Sequence, residues 1–185
     1  MPRPRTLTRI CVFCASSDGV LGAYGAAAVS LGRGLAARGL GLVYGGSNIG
    51  LMRLLADAAI EGGGEVIGVI PQQLVDRERA HRGLTDLRIV RSMHERKALM
   101  ADLADAFVAL PGGYGTLDEF CEVLTWAQLG LHNKPCALLN VAGYYDGLLA
   151  LFARARREGF LYSTGRDVIV EDDVERLLDL VMNQP

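Results

Sequence analysis

Lysine is almost absent from this chain. Of 19 basic residues in 185, 17 are arginines and only Lys97 and Lys134 carry an amine. Schiff-base chemistry with pyridoxal phosphate therefore has two candidates, Lys97 beside Arg96 and Lys134 between Asn133 and Pro135, and neither setting favours it. An excess of positive charge is missing as well: 21 acidic side chains against 19 basic ones leave a net charge of -2, so no overall field draws in a nucleic-acid polymer. The longest uncharged stretches, Gly19–Gly32 and Gly39–Met52, have 14 residues each, short of the roughly 18 that span a bilayer, so no membrane helix is expected. The arginines before Ile10 lead into an apolar run of only Ile10 to Phe13, a poor secretory signal, which makes a cytoplasmic location the expectation.

Cysteine is scarce too, and four dispersed residues do not make a disulfide framework. Cys11-Val-Phe-Cys14 has redox spacing but lies in a strand-like run, where positions three apart face opposite ways. A zinc site needs a second close pair, and Cys121 and Cys136 are fifteen apart, so the cysteines read as small core hydrophobes and no metal is expected.

The chain does contain 50% hydrophobic residues and 23 glycines without a repeat, the composition of an ordinary globular protein. At about 150 residues per domain, the length favours a single domain over residues 1–185. Short apolar runs at 9–15, 40–44, 65–70, 87–90, 106–110, 135–141 and 168–170 predict strands. Segments of helical period alternate with them at 24–37, 51–61, 92–103, 116–129, 145–157 and 173–182. This alternation predicts an α/β fold: one doubly wound, Rossmann-like parallel sheet with helices on both faces. The polar stretch 72–85 reads as a surface loop.

In such a sheet, ligands bind beyond the carboxyl ends of the strands. Three turns there are rich in small residues: Ser16-Ser17, Gly45-Gly46-Ser47 and Gly112-Gly113-Tyr114-Gly115-Thr116. Glycine lets backbone amides approach a ligand and a helix N-terminus favours an anion, although a tight strand-to-helix connection is the plainer reading of each turn. No Gly-Lys-Ser/Thr follows, so a single monophosphate fits better than a triphosphate. A fourth turn brings His94, Glu95, Arg96 and Lys97 to a helix start, where paired cations oppose the dipole: they are either solvated basic residues on the helix surface or contacts to a phosphate. Ser92-x-x-Glu95 and Thr116-x-x-Glu119 both have capping-box spacing. Glu119 is therefore either a cap or, about 200° around its helix from Leu117 and off the apolar stripe, a carboxylate at the ligand.

Met93-His-Glu-Arg-Lys97 followed by Pro111-Gly-Gly-Tyr-Gly-Thr-Leu-Asp-Glu119 resembles the paired signature of the Lonely Guy family, cytokinin riboside 5'-monophosphate phosphoribohydrolases also labelled lysine-decarboxylase-like. The likeness continues through Leu42–Gly46, Gly50–Met52, Gly68–Pro71, Thr125–Gly130 and Leu138–Val141. It departs at Ala15, Ser47 and Arg53, where the family often has Gly. The resemblance implies hydrolysis of the N-glycosidic bond of an adenosine 5'-monophosphate-type nucleotide, preferentially one substituted on the exocyclic amine, without metal or organic cofactor. It implies Arg96 and Glu119 as the catalytic pair and substrate contacts at Glu78, Lys97, Gly113 to Thr116 and Thr125. The glycine turns add Gly46, Ser47 and Gly112. Arg96 would either anchor the phosphate or stabilise charge on the departing base, while a carboxylate near the ribose suits an oxocarbenium-like transition state.

The resemblance also implies a homodimer, and Trp126, Leu129 and Leu131 add apolar helical surface beyond the core stripe. The rival from another class is a nucleotide-binding or molybdenum-cofactor carrier protein of the same fold.

Overall fold

The strand segments ICVF, GLVY, VIGVIP, AFVA and CALL are apolar almost without interruption, as strands covered on both faces must be. The computed structural model describes residues 7–77, 79–161 and 167–184. In it, β1 (Arg9–Phe13), β2 (Gly41–Tyr44), β3 (Val66–Pro71), β4 (Asp86–Val90), β5 (Ala106–Ala109), β6 (Cys136–Leu139) and β7 (Ile169–Glu171) form one sheet. The order is β4-β3-β2-β1-β5-β6-β7, and every neighbouring pair is parallel. The edge strands β4 and β7 are the two whose residues stay largely half-exposed.

Among the described residues, six α-helices cover the sheet: α1 (Gly22–Ala37), α2 (Gly50–Glu61), α3 (Met93–Leu103), α4 (Tyr114–Gln128), α5 (Asp146–Arg157) and α6 (Val174–Met182). On one face Leu31, Leu35, Leu55, Leu177 and Val181 from α1, α2 and α6 interlock with Ile10, Val12 and Leu42. On the other, Met100, Phe120 and Val123 from α3 and α4 pack with Cys11, Phe13, Val43 and Phe107. Full burial of each large side chain contributes about 1.5–3 kcal/mol. β1 shows the period-two alternation directly, and Cys11 and Cys14 end in opposite cores, which rules out their pairing. Burial raises both thiols and pushes Cys136 up to about 12, so they are protonated core residues. No group of metal-ligating side chains occurs among the described residues. Nor, among them, is any helix long and apolar enough to cross a membrane.

The connection after β1 runs toward β2 while that after β5 runs toward β6, so the two diverge. A crevice opens at that switch point, beyond the carboxyl ends of β1 and β5.

Candidate active site

A cleft of about 340 Å3 occupies the switch point. Cys14 to Ser17 form one wall and Gly113 to Thr116 the other, with Arg96 and Glu119 at its base. A wider groove of about 670 Å3 along α1 brings only Arg33 and Glu175 as charges to a lining of small residues. Convergent polar groups distinguish the cleft, not size.

The start of α4 departs from the capping-box expectation. The helix begins at Tyr114, with Gly113 in the N-cap position and no side chain capping it. Thr116 is already inside the first turn and 3% exposed. Its hydroxyl packs on Gly112, where a Cβ would lie 2.0 Å from Oγ1 and 3.1 Å from the Ala15 nitrogen, so only glycine fits. The first residues of α4 thus line the cleft at a helix N-terminus whose N-cap, Gly113, brings no side-chain acceptor, an arrangement that suits an anion. Glu119 is buried at 8% exposure one turn further on.

Arg96 faces it from α3. The guanidinium is 5% exposed; Nε donates to Val69 O and Nη2 to Gly45 O, each at 3.0 Å, which ties α3 to the ends of β3 and β2. Nη1 lies 3.9 Å from Glu119 Oε1 and 3.8 Å from Met93 Sδ. Buried charges persist when paired and hydrogen-bonded; here the two charges pair with each other, and Arg96 is hydrogen-bonded to two backbone carbonyls as well. Ser92 caps α3 by accepting from Glu95 N at 3.1 Å. The Glu95 carboxylate accepts from Arg91 N at 2.9 Å, one residue before the partner a capping box requires.

Gly46 and Ser47, grouped with the anion turns from sequence, do not line the cleft. Ser47 is fully buried and bridges Ala80, and Gly46 O accepts from His81 N. The α2 N-terminus is occupied: Leu51 N and Met52 N donate to Ser17 O and Ala15 O, both at 3.3 Å. Gly50 makes this possible, at φ +60 and with a virtual Cβ 2.3 Å from the Ser16–Ser17 backbone. A neighbouring loop thus already takes the amides that an anion at this turn would use.

Lys97 also lies off the cleft lining, its Nζ 3.2 Å from Asp118 and 3.1 Å from Glu122. Burial alone would lower its pKa, but Glu122 and then Asp118 outweigh burial and raise it above the ordinary lysine value. An ammonium held in this way is a poor Schiff-base former. Lys134 donates to Ala101 O at 2.7 Å and sits over the Phe107 ring. Thr125 is exposed two and a half turns along α4 from Thr116 and bonds back to Cys121 O at 2.8 Å. Glu78 lies outside the described residues. Leu74 also lines the cleft, as do Met52, Met93 and Asp118, which lie inside the quoted sequence motifs but carried no assigned role there.

Residues 52–181 match the family described as "Possible lysine decarboxylase". The chain is 54% identical over 162 residues to a cytokinin riboside 5'-monophosphate phosphoribohydrolase of Arabidopsis thaliana, covering 88% of this chain and 75% of that one. It is 52% identical over 176 residues to the enzyme of the same name from Rhodococcoides fascians, covering 94% and 87% of the two chains. Among solved structures, the molybdenum cofactor carrier protein of Chlamydomonas reinhardtii matches with a TM-score of 0.70 at 22% identity, over 96% of this chain and 99% of that one. The molybdenum cofactor binding protein of Rippkaea orientalis matches with the same TM-score and identity, over 94% of both chains.

Proposed function

The chain belongs to the Lonely Guy family of cytokinin riboside 5'-monophosphate phosphoribohydrolases, and from that membership we propose how its cleft works. The enzyme hydrolyses the N-glycosidic bond of a cytokinin riboside 5'-monophosphate, giving the free base and ribose 5-phosphate. The observation that carries the site assignment is the buried Arg96–Glu119 pair beside an α4 N-terminus that no side chain caps.

In this reading the 5'-phosphate rests on the amides from Gly113 to Thr116, with Gly112 allowing the close approach. The ribose then lies over Glu119. As the bond from C1' to the base nitrogen breaks, the electron pair leaves with the base and positive charge grows on the ribose ring. The Glu119 carboxylate stabilises that charge and orients the water that bonds to C1'; the water's proton is balanced by protonation of the departing base. Two backbone acceptors hold Arg96 in place, and it gives Glu119 a fixed countercharge. Lys97 acts one step removed, through Asp118 on the cleft wall. The carrier alternative rests on solved structures at 22% identity, a likeness of fold alone, and gives no reason for burying this charge pair.

The protein works as a homodimer joined through the α4–α5 side. No residue of α5 is buried, and Leu129, Leu131, Leu151 and Phe160 are 68%, 70%, 59% and 73% exposed, more apolar surface than a monomer usually leaves wet. Trp126 packs against its own core and is not part of that surplus. A second copy laid on this side would meet the exposed Thr125. The cysteines are all free, which suits a reducing cytoplasm.

Incubation with adenosine 5'-monophosphate, amine-substituted analogues and the matching nucleosides, followed by chromatography for free base, tests the reading. Base should appear from the monophosphates and hardly from the nucleosides. Equal rates on both would overturn the phosphate site. Light scattering at assay concentration tests the dimer, and a fully active species of about 20 kDa, one chain's mass, refutes it.

A further inference from the structure

Two adjacent tyrosines outside the cleft hold the turn that forms one of its walls. The Tyr145 hydroxyl donates to Leu110 O at 2.5 Å and the Tyr144 hydroxyl to Gly112 O at 2.7 Å, so the carbonyls on either side of Pro111 are both occupied. Tyr145 is 1% exposed, Tyr144 is 43% exposed, and neither lines the cleft.

The rings continue the support across the switch point. Tyr144 packs edge-on against Tyr145, with centroids 5.0 Å apart, and against Tyr24 at 5.7 Å. Tyr24 in turn presses on Gly19, where a Cβ would lie 2.8 Å from the ring. The ladder therefore ties the β1–α1 loop to the β5–α4 turn, which are the two walls of the cleft.

A shaped turn carries the pair. Asn140 Oδ1 accepts from Tyr145 N at 2.7 Å while its amide donates to Asp146 at 2.8 Å. Ala142 is held at φ 53, a conformation a non-glycine residue adopts only when its surroundings impose it.

The Gly112–Gly113 peptide is trans, so fixing its carbonyl also fixes the Gly113 N–H, which points the opposite way. We propose that Tyr144 and Tyr145 are positioning residues: by holding the Gly112 and Leu110 carbonyls, they aim the Gly113 amide and so set the affinity of the α4 N-terminus for the substrate's phosphate. This rests on the phosphate placement proposed above.

The test is Tyr144→Phe, which removes one hydroxyl from a half-exposed ring, with Tyr145→Phe as the buried counterpart. Both KM for the nucleotide and the inhibition constant of ribose 5-phosphate should rise about five- to tenfold in Tyr144→Phe, the loss expected for one oriented hydrogen bond. kcat should change by less than about twofold, and inhibition by free adenine should not change, because only the phosphate end is affected. A general loosening of the fold would weaken adenine and ribose 5-phosphate alike and lower the melting temperature. A folded Tyr144→Phe with unchanged ribose 5-phosphate inhibition overturns the proposal. If the wild-type enzyme binds ribose 5-phosphate no better than ribose, the phosphate placement itself is at fault. A measurement that needs no variant is the Gly113 amide resonance of the 15N-labelled wild type. It must shift on titration with ribose 5-phosphate, and a silent Gly113 with ribose 5-phosphate demonstrably bound places the anion elsewhere and overturns the proposal.

Discussion

The turn after β2 and the turn after β5 have nearly the same composition, Gly45-Gly46-Ser47 and Gly112-Gly113-Tyr114-Gly115-Thr116, and each leads into a helix. In the first, the amides that open α2 are taken by the carbonyls of Ala15 and Ser17, and Gly45 O holds the Arg96 guanidinium. In the second, the amides that open α4 have no capping side chain and border the cleft. On the proposed phosphate placement, a glycine-rich turn serves an anion only where no neighbouring loop fills it, and strand order decides which turn stays open. Beside β2 the chain packs the β1–α1 loop across α2, while between β1 and β5 the connections diverge.

Glu119→Gln tests the reacting side of the open turn and carries the largest expected effect. Gln has the same volume, and Arg96 keeps its two backbone acceptors, so the fold should survive. Turnover should drop about 10²- to 10⁴-fold while the nucleotide still binds, which isothermal titration beside steady-state kinetics would resolve. Near-normal turnover would leave the buried carboxylate with a packing role only.

Placing the same substitution in both turns compares them directly. In Gly112→Ala the new methyl lands 2.0 Å from Thr116 Oγ1, so the turn proposed to hold the phosphate must shift; KM should rise about tenfold or more. In Gly45→Ala it lands 2.0 Å from Arg96 Nη2 and displaces the guanidinium, so kcat should fall, with a loss of about 1–3 kcal/mol in stability. If both variants changed the same kinetic constant, the division of labour between the turns would be wrong.

Lys97→Met removes the α3–α4 tie without touching either turn, and kcat/KM should fall only about fivefold. The folded pKa of Lys97 is raised above 10.5. The tie's contribution is therefore complete below 10.5 and lost only as the pH rises through that higher folded value. The melting deficit of the variant should accordingly be flat across about pH 6 to 9. A deficit that vanished within that range would mean Lys97 is not held by Asp118 and Glu122.

Local pattern was enough for most of the fold. Continuous apolar runs marked strands buried on both faces, and 3.6-residue periodicity marked the helices, within about two residues at each end. β1 and β6 are shorter than the apolar runs that mark them: Cys14 and Ala15 leave the sheet to become cleft wall, and Val141 opens a 3-10 turn. The capping-box spacing at Thr116 was coincidental: Gly113 starts the helix and Thr116 packs on Gly112. What local pattern could not supply was long-range partnership. Nothing near Gly46 announces His81, nothing near Lys97 announces Glu122, and nothing near Gly112 announces Tyr144. The polar stretch 72–85 reads as a surface loop with room for a helical turn, which Gln72–Leu74 forms, yet the bridge from Ala80 with which it covers Ser47 has no local signal.

That cover allows the finest test of the comparison. Gly83 N donates to His81 Nδ1 at 3.2 Å, which leaves the ring proton on Nε2 to donate to Asp57 Oδ1 at 2.9 Å. The bond pins the 79–83 segment to α2 and keeps the β2 turn covered. Asp57→Ala deletes the acceptor, and also the Arg53 contact at 3.4 Å, at a net cost of about 0.5–1.5 kcal/mol. The higher helix propensity of alanine returns a few tenths of that. Because the β2 turn touches no ligand in this account, KM and kcat should both stay within experimental error while the chemical-denaturation midpoint falls. A rise in KM like that of Gly112→Ala would mean that the covered turn also holds substrate, and the contrast between the two turns would collapse.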